Sequence, residues 1–263
     1  MNNLVLFDVD GTLTEARAGI SVKMLKALRE LCRYAEIGFL TGSGLEYIKE
    51  QLWPALNDPI IKQNCHLLPC NGTEYIITEG AEEPIFNYIS KASMGEEIGE
   101  GSMRELLKLL CELQAKVVSE FSIPLTGNFI QNRGSMVNWC PIGRSAKGKA
   151  REAFLLLDKK LGIRDKYFDI LSEEIESRKI GLTLKLGGDT SFDIYPNGWD
   201  KTYALRHFNG DDWSFWFVGD RCYPMGNDYE IFELLKPTGR AFETGGPEET
   251  IELIDFYILR DML

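Results

Sequence analysis

The chain has 263 residues, enough for one large or two modest domains, and its 44% hydrophobic and 26% charged content is ordinary for a globular protein. With 29 basic against 40 acidic residues the net charge is -11, which argues against a nucleic-acid binder or a basic membrane-surface protein, since both need net attraction to phosphate. A small anionic substrate, which needs only a local cluster of positive charge, is not excluded. The sequence opens directly on a strand pattern, without a basic and apolar leader, and no run approaches the ~18 apolar residues of a membrane helix, so a cytoplasmic protein is expected. The six cysteines are scattered without a CxxC pair and only His66 and His207 could join them, so buried free thiols are a better account than a zinc site.

In chain order, Leu4 to Phe7 reads as a buried strand that delivers Asp8 and Asp10 before Gly11 and Thr12 break it. Alternate side chains of an extended backbone share a face, so both acids can point into one pocket while Val9 turns to the core. Ser21 is positioned to cap a helix through about Arg33, with Val22, Leu25, Leu28 and Leu31 as its apolar stripe. EIGFLTGSG is a second short strand ending in small and hydroxyl residues, and the helix after it, from Leu45, is expected to stop at Pro54. His66–Pro69 and Tyr75–Thr78 read as strands joined by an Asn71-Gly72 turn. Strands alternating with helices in this way predict an α/β fold with a doubly wound parallel sheet.

Around Pro84 the texture changes. A helix over Met103–Glu120 is followed by strands at Thr126–Gln131 and Met136–Cys140, helices at Ser145–Leu161 and Lys166–Ser177, and strands at Gly181–Leu186 and Ser191–Tyr195. This grouping predicts an α+β cap inserted in the first domain: residues 1–84 and 198–263 form a catalytic core and 85–197 the substrate-binding cap. A helix from Trp199, the buried strand WSFWFVGD ending at Asp220, a helix from about Asn227, a short strand near Arg240 and a helix from Pro247 complete the core.

Three strands thus end in chemistry at what should be one edge: Asp8 with Asp10, Thr41 with Ser43, and Asp220 with Asp228. Carboxylates gathered from separate strand ends repel one another unless a cation joins them, and hard oxygen donors without Cys or His imply Mg²⁺. A carboxylate nucleophile, a second acid to move a proton, hydroxyl donors, a lysine and Mg²⁺ make a phosphoryl-transfer site working through a phospho-aspartate. Between Arg133 and Lys160 there are seven basic and two acidic residues. The lysines among them (147, 149, 159 and 160) are expected on a solvated helix face, whereas Arg133 and Arg144 suit bidentate phosphate binding.

The motifs DVDGT at 8–12, Thr41-Gly42-Ser43, Lys201 and GDRCYPMGND at 219–228 resemble those of the haloacid dehalogenase superfamily of phosphotransferases. Together with FIQNRGSMVNWCPIGR at 129–144, Arg151, SFDIYPNGWDK at 191–201 and GDRCYPMGNDYEIF at 219–232, they resemble the eukaryotic-type phosphomannomutases over nearly the whole chain. The resemblance implies a Rossmann-like core and a reaction that interconverts mannose 6-phosphate and mannose 1-phosphate, a step toward GDP-mannose, with a hexose 1,6-bisphosphate as activator.

It implies Asp8 as nucleophile and Asp10 as general acid/base. For Mg²⁺ it implies Asp8, Asp220 and the Asp10 carbonyl as ligands, with Asp228 in support. Phosphoryl oxygens fall to Ser43 (or Thr41) and Lys201, and sugar-phosphate contacts to Arg17, Arg133, Arg144, Arg151, Ser191 and Asp193. It also implies a homodimer through the cap. Preference for mannose over glucose stays open, and a sugar-phosphate phosphatase is the alternative activity, because Thr41-Gly42-Ser43-Gly44 stands where the family usually reads Gly-Gly-Ser-Asp. Leu234 and Pro237 stand where the family carries an acid and a threonine associated with a second ion, so that ion site is expected to be lost.

Overall fold

Strand β1 (Asn2–Phe7) has neighbours on both sides and both of its faces are buried, which is why its sequence is a continuous apolar run and not an alternating one. The computed structural model describes residues 2–80 and 83–262. In it the chain divides into two units, Met1–Lys91 with Trp199–Leu263, and Ala92–Gly198.

In the first unit β1 is followed by α1 (Val22–Leu31), β2 (Glu36–Leu40), α2 (Leu45–Leu56), α3 (Pro59–Gln63), β3 (Cys65–Leu68), β4 (Glu74–Glu79) and β5 (Ile85–Lys91). After the second unit come a 3₁₀ stretch (Lys201–His207), β10 (Trp213–Gly219), α7 (Tyr229–Leu235), β11 (Ala241–Glu243) and α8 (Pro247–Leu253), which runs on through a π-helical turn into Leu259–Met262. The seven strands pair in the order β11-β10-β1-β2-β3-β4-β5. The first five are parallel, and β4 and β5 are antiparallel additions. Val5 and Phe7 face a core closed by α1, α2 and the C-terminal helix, and Leu4 and Leu6 face a second core closed by α7 and the 3₁₀ stretch. The chain leaves β1 toward β2 on one side and returns as β10 on the other. The carboxyl end of β1 is therefore a switch point of the kind where open α/β sheets bind ligands.

The second unit contains α4 (Met94–Glu120), β6 (Ile130–Asn132), β7 (Val137–Trp139), α5 (Gly148–Leu161), α6 (Ile163–Arg178), β8 (Leu182–Gly187) and β9 (Ser191–Pro196). Its antiparallel sheet runs β6-β7-β9-β8. One face is apolar, with Trp139 stacked on Phe192 at 4.9 Å between ring centres. Register places Gln131, Asn138, Asp193 and Lys185 in one row across the other face.

Several expectations need correcting. The segment after Pro84 is not yet the second unit: Ile85–Lys91 forms β5, which pairs with β4 through backbone hydrogen bonds, so the break falls after Lys91. Pro54 does not end α2, which continues to Leu56; a proline this close to a helix end removes a single backbone bond. Val22 is 70% exposed at the first turn of α1, and the buried stripe is Met24, Ala27, Leu28 and Leu31. The helix before Glu120 starts at Met94, its two parts joined at Gly99 with φ 78. The turn at Asn71-Gly72 is a 3₁₀ turn beginning at Cys70, and the helix expected from Trp199 is also 3₁₀. Of the six thiols, Cys111 is exposed and the rest are buried.

Candidate active site

Parallel pairing sets Phe7 beside Val218 on one side and Phe39 on the other, so the residues that follow all three strands emerge at one sheet edge. Asp8 leaves β1 with its own N–H bonded to the Val218 carbonyl at 3.0 Å. Carboxylate oxygens of Asp8, Asp220 and Asp228 lie within 4.8 Å of one another. Lys201, itself fully buried, donates its ammonium to Asp8 Oδ1 and, at 2.5 Å, to Asp228 Oδ1. Asp228 Oδ2 accepts the Arg221 N–H at 3.0 Å.

Gly11 is needed where it stands. Its φ of +79 suits only glycine without strain, and a Cβ there would collide with the Asp220 carboxylate.

The electrostatics follow from burial. Desolvation holds the Asp8 carboxyl well above the usual carboxylate range; Asp228 and Asp220 add to the rise and Lys201 opposes it. Asp220 is lifted to about 6, again chiefly by burial and then by Asp228. For Lys201 burial works against the charge, yet Asp228 and Asp8 outweigh it and raise the ammonium above its ordinary value. Lys201 thus serves Asp8 and Asp228, while Asp220 has Arg221 Nε at 3.7 Å, and the three acids still outnumber the two cations.

A divalent cation bound by oxygen fits this donor set. Two further observations agree: Thr12 Oγ1 and Asn227 Oδ1 are buried without a hydrogen-bond partner among the described residues.

Asp10 is organised differently. Its Oδ1 accepts three hydrogen bonds, from the Arg17 N–H at 2.9 Å, Tyr47 Oη at 3.0 Å and Gln51 Nε2 at 3.2 Å. Gln51 is fixed in turn by Thr14, whose hydroxyl donates to Gln51 Oε1 at 2.7 Å. No hydrogen bond reaches Asp10 Oδ2 among the described residues. Neither Tyr47 nor Gln51 was anticipated, although both lie on one face of α2, four residues apart. Arg17 reaches the site through its backbone; its side chain is exposed. Thr41, buried, accepts the Ser43 N–H at 3.1 Å on Oγ1 in a tight hydroxyl turn at the end of β2.

The remaining predicted residues lie in the second unit. Four of them come together around a residue that was not anticipated, Asn138. It donates to Ser191 Oγ at 3.0 Å and to Asp193 Oδ1 at 2.6 Å, and accepts from Arg144 Nη1 at 3.2 Å. Arg133 Nη1 lies 3.7 Å from Asp193 Oδ1. Arg151 instead pairs with Asp189. The lysines at 147, 149, 159 and 160 are exposed, as the solvated-face reading expects.

Comparison with known proteins bears on what this arrangement is. The family model for eukaryotic phosphomannomutase matches residues 24–259. A phosphomannomutase from Dendrobium officinale is 34% identical over 259 residues, covering 97% of this chain and 94% of its own. One from Schizosaccharomyces pombe is 36% identical over 251 residues, covering 94% and 91%. Among solved structures, an N-terminally truncated Plasmodium falciparum IMP-nucleotidase superposes with a TM-score of 0.67 at 14% identity, covering 97% of this chain and 70% of its own, a likeness of fold. Matched along almost its whole length, the chain belongs to the eukaryotic phosphomannomutase family.

Proposed function

We propose that the protein is a phosphomannomutase, interconverting mannose 6-phosphate and mannose 1-phosphate through a phospho-aspartate on Asp8 and a hexose 1,6-bisphosphate. The observation that carries this reading is the pairing of Asp8, held at Oδ1 by Lys201, with Asp10, tied at Oδ1 alone. Each carboxylate keeps its second oxygen for chemistry. Asp8 Oδ2 attacks phosphorus and the bond from phosphorus to the sugar oxygen breaks, while Asp10 Oδ2 delivers a proton to the departing oxygen. In the reverse half-reaction a hydroxyl of the sugar monophosphate attacks the phosphorus of the phospho-aspartate, the bond from phosphorus to Asp8 Oδ2 breaks to free the carboxylate, and Asp10 takes the hydroxyl proton. Lys201 and the Ser43 or Thr41 hydroxyl bind phosphoryl oxygens.

Asp8, Asp220, Asp228 and the Asp10 carbonyl would hold Mg²⁺, which when bound supplies charge neutralisation at the phosphoryl oxygens. The sugar phosphate is recognised by Arg133, Arg144, Arg151, Ser191 and Asp193, with Arg17 as a further contact. A bisphosphate carries a second dianion that needs its own cations, and a simple phosphatase has no such requirement.

A cytoplasmic homodimer assembled through the second unit belongs to the same reading, and sedimentation of the purified protein tests the assembly.

Phosphorus NMR of mannose 1-phosphate with the protein, Mg²⁺ and a trace of glucose 1,6-bisphosphate tests the activity. Mannose 6-phosphate is the expected product. Inorganic phosphate alone would replace this reading with a sugar phosphatase, the activity toward which the Thr41-Gly42-Ser43-Gly44 segment leans. Asp8→Asn abolishes either.

A further inference from the structure

Asn138 sits in β7 at the centre of the polar face of the second unit's sheet and is 1% exposed. Its amide nitrogen has acceptors at Ser191 Oγ (3.0 Å), the Phe192 carbonyl (3.2 Å) and Asp193 Oδ1 (2.6 Å). Its carbonyl oxygen accepts from Arg144 Nη1 at 3.2 Å. The two ends of one neutral side chain therefore meet an anion and a cation, and this also sets the amide orientation: nitrogen toward the carboxylate, oxygen toward the guanidinium. A register pair joins Asn138 to Asp193 across the strands, so an aspartate at 138 would set like charges opposite each other. An apolar residue would leave hydrogen-bonding capacity of Asp193 and Arg144 unmet.

We propose that Asn138 is a positioning residue for sugar-phosphate recognition, holding the Arg144 guanidinium and the Asp193 carboxylate in the orientation that receives the ligand. Buried, it does not touch substrate and acts through those two side chains. Ser191, which Asn138 also contacts, is fixed from behind by donating to the Gly187 carbonyl at 2.5 Å. The backbone of Arg144 is anchored separately, its N–H on the Asn128 carbonyl at 3.2 Å, so the contact with Asn138 bears on the guanidinium and not on the backbone. A preset fork spares the ligand the cost of ordering it.

The inference rests on the functional reading above, and its test separates the two. Steady-state kinetics with mannose 1-phosphate are measured for the unmodified protein, Asn138→Ala, Asn138→Asp, Arg144→Ala and the Asn138→Ala/Arg144→Ala double variant. Hydrolysis of acetyl phosphate, which needs only the Asp8 site, and thermal unfolding are followed alongside. Asn138→Ala should raise KM for the sugar phosphate ~10–100-fold, the loss expected for hydrogen bonds to charged groups, with acetyl phosphate turnover unchanged. Asn138→Asp should be worse than Asn138→Ala. The double variant should fall well short of the product of the two single effects, because part of what Asn138 does is done through Arg144.

Asn138→Ser, which keeps a small polar group at the site, replaces Asn138→Ala if the latter does not fold. An unchanged KM, additive effects in the double variant, or a parallel fall of both activities with the unfolding temperature overturns the inference. Failure of the unmodified protein to bind or convert mannose 1-phosphate overturns the functional reading, and this inference with it.

Discussion

Asp8 and Asp10, two residues apart, have the different surroundings that the different work proposed for them requires. Asp8 is buried beside other acids and shares Lys201 with Asp228, whereas Asp10 is held by neutral donors from α2 and a backbone N–H. The first arrangement disfavours a lone negative charge and suits an oxygen that gives up charge on becoming phosphorylated. The second fixes direction, since three donors on Oδ1 leave the carboxylate little freedom to rotate. Gln51→Leu, which removes one donor and leaves the Thr14 hydroxyl only the Val9 carbonyl at 3.2 Å, should lower turnover ~10-fold or more with little change in KM, as for a misdirected acid/base. Steady-state kinetics on mannose 1-phosphate check it.

The pair of acids was legible in the sequence because a strand period of two and a following Gly-Thr leave few other meanings. Tyr47 and Gln51 were not, because polar residues spaced four apart on an amphipathic helix normally mark its solvated side. Only the packing of α2 shows that Gln51 is buried. Asn138 was hidden for a similar reason: in a strand of three residues, one asparagine between Val137 and Trp139 reads only as the outward position.

At the scale of elements, the loop before Arg144 shows how backbone geometry aims a side chain. Gly143 has φ +87, and a Cβ there would run into the Gly127 carbonyl. The loop is stitched to its neighbour by Thr126, whose N–H and hydroxyl both donate to the Ile142 carbonyl at 2.9 and 2.8 Å. Gly143→Ala should cost about 1–3 kcal/mol of stability through strain at this position. It should also raise KM for the sugar phosphate, measured beside a denaturation curve.

Regular elements with strong periodicity were readable: β1, β2, β10 and, in the second unit, β7, α5, α6, β8 and β9 lie near their expected positions, whereas α4 begins at Met94 and not Met103, and β6 spans Ile130–Asn132 and not Thr126–Gln131. β5 was not, because its alternation is blurred by two-sided partial exposure at a sheet edge; Ile85, Tyr88 and Ile89 are all exposed. Pro54 misled for the opposite reason, since a strong local rule yielded to burial of Leu52, Ala55 and Leu56 on both sides of it.

For the whole molecule, both histidines of the chain fall in one aromatic cluster with Tyr75 and Phe208. Burial pulls His66 below its ordinary value against the pull of Glu36, whose Oε2 is 2.6 Å from Nε2. His207 is lowered likewise by burial, with the Gly72 carbonyl opposing. Tyr75 Oη at 3.0 Å from His66, and Ser90 Oγ at 3.4 Å and Tyr203 beside His207, complete the polar surroundings. Because the folded state favours the neutral rings, the unfolded chain takes up protons first as pH falls. Their contribution to stability is complete above the unfolded value of about 6.5 and is lost as pH drops through it toward the lower folded values. Asp8 and Asp220, raised in the folded state, act with the opposite sign in the same range, so the histidine part is read as a difference: from about pH 6.5 downward the urea midpoint of the unmodified protein should lose ground to that of His207→Gln.

Lys201 has a consequence for how the enzyme is assembled. Its ammonium, locked between Asp8 and Asp228, gives the strand ends an internal counter-charge supplied by the chain itself. Folding therefore need not wait for an ion, and a chelator should silence turnover while leaving the unfolding temperature within a few degrees. Lys201→Ala removes that autonomy: breaking so buried a pairing should cost about 3–5 kcal/mol, recoverable in part by millimolar Mg²⁺. Thermal unfolding of both proteins with and without Mg²⁺ tests whether the Mg²⁺ proposed for this site is needed for folding.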